Sequence, residues 1–255
     1  MALIRGILFY VVTMPLAVIL GSLTILALPC PRKFRYEIAR TWTRLSLWWL
    51  RICCGLSWEV TGTENIPTTA GVIACKHHSA WETMSLQCVF PPQSQVLKRE
   101  LLWIPFFGWA LGSLNPIAIN RSLGVRALKL VIAEGVKRVQ DDWWVVLFPE
   151  GTRVGPGETG RYAQSAAALA LQANCPLVPV AHNAGQFWPR KSWEKHPGTI
   201  RMIVGKPIAT EERSAAEITR ELQDWIETQT RGLMPEAYAN VEATANEDNA
   251  ASDPS

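Results

Sequence analysis

The sequence predicts an α/β domain, a mixed sheet flanked by helices, with membrane-associated helices at its N-terminus. Short runs rich in β-branched and aromatic residues alternate with helical stretches from residue 57 onward. Ahead of them, the first 31 residues carry a single charge, Arg5, and a basic, tryptophan-rich segment follows. Alternating strands and helices are the pattern of one sheet with helices on both faces. A chain of 255 residues can bury one substantial core, so one main domain is expected, over 57–235.

Residues 6–31 are uncharged and rich in Leu, Ile and Val. At about 1.5 Å per residue, roughly 20 residues cross a bilayer core, so 1–31 reads as a hydrophobic membrane anchor. Pro15 would kink this helix, and Pro29 and Pro31 stop it. A cleaved signal peptide is the competing reading, but the apolar run is too long and no small-residue cleavage site follows.

Between 32 and 51 stand Arg32, Lys33, Arg35, Arg40, Arg44 and Arg51 against one acid, Glu37. At about 100° per residue, Lys33, Arg40, Arg44 and Arg51 share one stripe. Phe34, Ile38, Trp42, Leu45, Trp49 and Ile52 form another, roughly 140° away. Residues 32–56 are therefore expected to form a basic amphipathic helix at an anionic lipid surface. The alternative is that its apolar stripe packs on the domain. Basic residues after an apolar segment put the rest of the chain on the cytoplasmic side, here expected at a bacterial inner membrane with the active site facing the cytoplasm.

Strands are predicted at 57–61, 71–75, 95–97, 116–119, 144–148, 177–181 and 200–204, and helices at 81–88, 123–139, 163–172 and 215–230. Residues 236–255, rich in Ala, Asn and acids, are expected to be a disordered acidic tail. A net charge of +3 is too mild to indicate nucleic-acid binding. The six cysteines show no CxxC pair and no metal-ligand spacing, so reduced, buried thiols and no metal are expected. No GxSxG, HExxH, Gly-rich phosphate loop or internal repeat is present.

Lys76-His77-His78-Ser79-Ala80-Trp81-Glu82 follows an apolar strand and opens a helix. Five positions on one continuous helix would turn His77 and Glu82 onto different faces. They converge only if His77 sits on the loop and Glu82 on the first helical turn, with Ser79 as N-cap. Glu82 would then fix the imidazole tautomer and stabilise the imidazolium formed when His77 takes a proton. Ser79-x-x-Glu82 is also a capping box, in which Glu82 would serve only the backbone. His78 reads as structural or exposed.

His-x4-acid after a strand resembles the first motif of the glycerophospholipid acyltransferase family, usually written with Asp as the acid. Lys98-Arg99-Glu100-Leu101, continuing through Pro105 and Gly108 to Ile119-Asn120-Arg121, resembles the second. Phe148-Pro149-Glu150-Gly151-Thr152-Arg153 resembles the third and Val178-Pro179-Val180 the fourth. The resemblance spans about 75–185. It implies that His77 is the base on an acceptor hydroxyl, that Glu82 orients it, and that Lys98, Arg121 and Arg153 meet the phosphate of lysophosphatidic acid. Glu150, Gly151 and Thr152 join the acceptor-binding turn by the same resemblance; an ion pair with an arginine is the other reading for Glu150, and a backbone angle with φ > 0 the other reading for Gly151. The implied reaction transfers a fatty acyl group from acyl-CoA or acyl carrier protein to the 2-hydroxyl, giving phosphatidic acid. No cofactor is expected, because a thioester is already activated. The bilayer, lysophosphatidic acid and the thioester donor are the expected partners. Glu in place of Asp, and Asn120 where Asp is common, depart from the pattern. Another lysolipid acceptor, or a non-catalytic lipid-binding protein, are the alternatives. The apolar stretch 101–109 is expected to line an acyl tunnel, to dip into the membrane or to be a buried helix. Trp188, Trp193, Arg190 and Lys191 resemble an interfacial loop.

Overall fold

The structure, a computed structural model, describes residues 1–120 and 123–241. Two long helices lead, α1 (Ala2–Leu26) and α2 (Arg32–Cys54), followed by β1 (Leu56–Thr61), β2 (Val72–Cys75), α3 (Trp81–Val89), β3 (Gln93–Lys98), α4 (Phe107–Ser113) and β4 (Ile117–Ile119). Then come α5 (Val125–Gln140), β5 (Trp144–Leu147), α6 (Ser165–Ala173), β6 (Leu177–His182), α7 (Ala184–Phe187), β7 (Gly198–Val204) and α8 (Ala215–Leu233). Every predicted strand is present. The sequence reading has no helix at α7, whose four residues are too few to show a helical period, and α4 overlaps only the end of the 101–109 stretch.

The seven strands form one mixed sheet in the order β1-β7-β6-β2-β5-β3-β4. Neighbours from β6 to β4 run parallel, β7 lies antiparallel to β6, and β1 runs parallel to β7. The central strands Val72–Cys75 and Trp144–Leu147 are continuous apolar runs because both sheet faces are covered. Ile73, Cys75 and Val146 pack with residues of α2 and α3, while Val72, Ala74, Val145 and Leu147 pack with α6 and α8. α8 begins with a capping box in which Ser214 and Glu217 satisfy each other's backbone N–H.

α1 is long and apolar enough to cross a membrane by length and composition. It is also tied to the domain along much of its length. Lys195 N donates to the Ala2 carbonyl at 3.2 Å. The indoles of Trp49 and Trp42 donate to the carbonyls of Leu8 and Thr13 at 3.2 and 3.1 Å. Gly6 lies so close to the Trp193 carbonyl that any Cβ would collide with it, and Gly21 passes against the Phe106 carbonyl. Its other side leaves Leu3, Ile4, Ile7, Val11, Met14, Val18 and Ile19 exposed.

The apolar stripe foreseen on α2 is not the face that packs on the sheet. Tyr36, Thr43, Ser46, Leu47, Leu50 and Cys54 are buried instead, Trp42 and Trp49 turn toward α1, and Phe34, Leu45, Trp48 and Ile52 remain exposed. The helix has three working faces, and α1 occupies part of the one read as lipid-facing. Arg32 is not a surface charge either. Its guanidinium donates to the Leu114 carbonyl and the Ser94 hydroxyl at 2.8 and 2.6 Å and lies 3.5 Å over the Trp143 ring.

The 101–109 stretch is not a buried helix. It folds as a 3-10 turn leading into α4 and exposes Trp103, Ile104, Phe106 and Trp109. The first residues of the tail expected to be disordered, 236–241, are ordered. Residues 235–241 are helical, and Tyr238 is buried with its hydroxyl donating to Glu227 Oε2 at 2.9 Å. Arg121 and residues 242–255 lie outside the described residues.

Candidate active site

Parallel β6, β2 and β5 end on the same edge of the sheet, the usual ligand-binding edge of an open α/β sheet. Side chains alternate between faces along each strand, and this alternation builds the site. Cys75 points to the α2–α3 side, so Lys76 points to the α8 side and His77 back toward α3. β5 delivers Phe148 to the His77 side, and the rings stack with centroids 4.0 Å apart. β6 delivers His182 there as well, beside Glu82.

His77 Nδ1 lies 2.8 Å from Glu82 Oε1, the expected pairing. Ser79 N donates to both oxygens of the same carboxylate, at 2.9 and 3.1 Å. The catalytic and capping readings therefore describe one carboxylate doing both tasks. The N-cap position is Ala80 rather than Ser79, and the Ser79 hydroxyl accepts from Trp81 N at 3.3 Å. Glu82 is fully buried. Burial by itself would raise its carboxyl, but His182, His77 and the Ser79 N–H outweigh that, and its pKa falls below the ordinary value. An ionised Glu82 accepts the N–H of His77 Nδ1 and leaves Nε2 as the nitrogen able to accept a proton.

The main chain of His77 is held from both sides by the turn after β5. Its N–H donates to Glu150 Oε2 at 2.9 Å, and its carbonyl accepts from Val154 N at 2.9 Å. Glu150, grouped by resemblance with the acceptor-binding residues, turns inward and is spent on protein contacts. Lys76 Nζ lies 2.7 Å from Glu150 Oε1 and 2.6 Å from Glu227 Oε1, with all three groups largely or wholly buried. Tyr162, Tyr238 and Thr159 donate to Glu227 at 2.8, 2.9 and 3.0 Å. Burial raises the Glu150 carboxyl above its ordinary value even with Lys76 beside it. The partner of Glu150 is thus a lysine, not the arginine that the ion-pair reading considered.

Gly151 has φ 66 with open space where a Cβ would stand, so the backbone angle is what calls for glycine. Thr152 is exposed on the same turn. Arg153 is half-buried, its carbonyl accepts from Arg190 at 2.7 Å, and its Nε is buried with no hydrogen-bond partner among the described residues. Lys98 ends β3 on the same sheet edge with its side chain exposed. His78 is buried, not exposed, with both nitrogens unpaired among the described residues, and burial lowers its pKa to about 2. Sequence reasoning missed Lys76, Glu227, Tyr162, Tyr238 and His182. The signal for His182 was its place at the end of a predicted strand, in step with Val178 and Val180, which face the His77 side.

Comparison with known proteins agrees with this geometry. The Acyltransferase family profile matches residues 57–183. A 1-acyl-sn-glycerol-3-phosphate acyltransferase of Pseudomonas aeruginosa is 42% identical over 91% of this chain and 92% of its own. The 1-acyl-sn-glycerol-3-phosphate acyltransferase alpha of Mus musculus is 30% identical over 74% of this chain and 68% of its own. The crystal structure of the 1-acyl-sn-glycerophosphate (LPA) acyltransferase PlsC from Thermotoga maritima superposes with a TM-score of 0.76, covering 91% of this chain and 95% of that one at 20% identity, and has the same fold. With a histidine–carboxylate pair at the head of a sheet of that fold and a relative matched nearly end to end, the chain belongs to the acyltransferase family.

Proposed function

We propose that this enzyme acylates the 2-hydroxyl of 1-acyl-glycerol 3-phosphate, lysophosphatidic acid, from acyl-CoA or acyl carrier protein, giving phosphatidic acid. The observation that carries the proposal is the 2.8 Å contact between His77 Nδ1 and the buried Glu82 carboxylate. His77 Nε2 takes the proton of the acceptor hydroxyl as its oxygen attacks the thioester carbonyl. The tetrahedral intermediate collapses, the C–S bond breaks, and the thiolate recovers the proton from the imidazolium. Glu82 keeps the ring in the useful tautomer and offsets its transient charge. Arg153 binds the acceptor phosphate through its guanidinium, whose planar fork of N–H donors matches phosphate oxygens. Lys98 adds positive charge at the same edge, and Arg121 is, by its motif, the further candidate for the phosphate.

The exposed apolar faces of α1, α2 and 101–109 seat the enzyme in lipid. With Ala2 and Gly21 both held to the domain, α1 lies embedded at the surface rather than crossing the bilayer alone. The exposed Lys33, Arg44 and Arg51 favour an anionic leaflet, and the cytoplasmic face of a bacterial inner membrane fits them.

The test is detergent-purified protein with lysophosphatidic acid and an acyl-CoA, following free thiol and phosphatidic acid together. Product that requires the acceptor, and is lost by a factor of at least about 10² in His77→Ala, is expected. Thiol release without the acceptor, or an active His77→Ala, would overturn the proposal.

A further inference from the structure

His182 is fully buried, and both of its ring nitrogens are committed to the main chain. Nε2 lies 2.9 Å from the Lys76 carbonyl, and Nδ1 lies 3.1 Å from Ala184 N. A carbonyl only accepts and an amide N–H only donates, so these partners fix one tautomer, with the proton on Nε2 and a bare Nδ1. A ring committed in this way has no acceptor left for a substrate proton, so it is no second base.

Its place explains what it does. The Nε2–H edge of His182 stands 3.8 Å from Glu82 Oε2, too far for a hydrogen bond but close enough for its positive edge to act on the carboxylate. Among the described residues, Glu82 Oε1 has two donors, His77 at 2.8 Å and Ser79 N at 2.9 Å, whereas Oε2 has Ser79 N alone, at 3.1 Å. His182 therefore faces the less satisfied oxygen. Through Lys76 it also holds the peptide that carries His77. A carboxylate free to turn off Nδ1 would let the His77 proton move to Nε2, where it blocks the base.

We propose that His182 is a positioning residue for the acyl transfer: it holds Glu82 and the start of the His77 loop so that Nε2 of His77 stays free to accept the hydroxyl proton. The proposal rests on the acyl-transfer reading above. Burial lowers the His182 pKa below the ordinary imidazole value, in keeping with a ring that stays neutral.

Two variants and one spectroscopic measurement test it. His182→Leu removes both main-chain bonds and the positive edge, while His182→Gln restores an N–H near the Nε2 position. In the leucine variant kcat should fall about ten- to a hundredfold, with KM for acceptor and donor unchanged within about twofold. The glutamine variant should recover most of that loss. A leucine variant with full kcat, or a glutamine variant no better than leucine, overturns the proposal. Should the leucine variant fail to fold, imidazole nitrogen spectra of the wild-type enzyme decide. The expected pattern is His182 protonated on Nε2 from pH 5 to 8 and His77 protonated on Nδ1. A His182 that titrates in that range, or carries its proton on Nδ1, overturns it too. Wild-type protein with this pattern but no acceptor-dependent product would sink the acyl-transfer reading instead, so the two failures are distinct.

Discussion

Replacing Lys76 with methionine tests the buried charge cluster beneath the catalytic loop. The ammonium lies between Glu150 at 2.7 Å and Glu227 at 2.6 Å, with the Lys76 and Glu150 side chains wholly buried and Glu227 nearly so. Methionine keeps most of the volume and removes the charge. Glu227 retains Tyr162, Tyr238 and Thr159 as donors, but among the described residues Glu150 keeps only the His77 and Gly160 N–H groups, at 2.9 and 3.3 Å. Breaking a buried pair by removing one partner costs about 3–5 kcal/mol, and the residual donors argue for the lower end, ~3 kcal/mol. At about 2–4 °C per kcal/mol for a domain of this size, the melting temperature in detergent should drop by roughly 6–12 °C.

The loss should depend on pH in a definite direction. Burial already raises the Glu150 carboxyl, and losing the ammonium raises it further. A group whose folded pKa lies above its unfolded one contributes stability below the unfolded value and loses it as pH rises through the folded value. The variant should therefore be closest to wild type near pH 5 and fall furthest behind near pH 8. Adding Glu150→Gln should recover part of the deficit at pH 8. A drop under about 2 °C that is the same at both pH values would refute the reasoning, because it would mean that the carboxylates are already solvated.

Arg153→Ala should raise KM for a phosphorylated acceptor about tenfold or more, worth ~1.5–3 kcal/mol, while kcat stays near wild type; an unchanged KM in steady-state assays removes Arg153 from the phosphate site. Lys195 is fully buried, with its ammonium 4.2 Å over the Trp188 ring and 4.6 Å over the Tyr10 ring, and burial lowers its pKa to about 8. Between about 8 and its ordinary 10.5, the unfolded chain binds a proton that the folded one does not, so this group's contribution to stability rises with pH. Lys195→Met should remove that rise, which thermal unfolding of both proteins at pH 7.5 and 9.5 would reveal; parallel curves would show that the ammonium carries no burial cost.

The site was legible in the sequence where it is local. His77 and Glu82 are five residues apart, and a strand end, a loop and a first helical turn are enough to bring them together. The partners assembled over long distances were not. Glu227 lies 151 residues from Lys76, and His182 lies 106 from it. Each reads alone as an ordinary surface or core residue, and only the strand order β6-β2-β5 and the seat of α8 bring them under the loop. Glu150 shows the same limit, since its motif marks it as important but not which way its side chain turns. On α2 the period marked an apolar stripe correctly as apolar, yet whether lipid, α1 or the sheet covers a stripe is settled by its neighbours.

Local pattern by itself determined the alternation of strands and helices, the apolar lead helix, the His77–Glu82 pair and the glycine at position 151, because each depends on backbone geometry within a few residues. The tertiary structure decided the rest: that Glu150 faces Lys76, that His182 backs Glu82, and that α1 is pinned at Ala2 and Gly21. Those contacts form only once packing brings distant segments together, and buried charge then makes them strong because little water remains to compete.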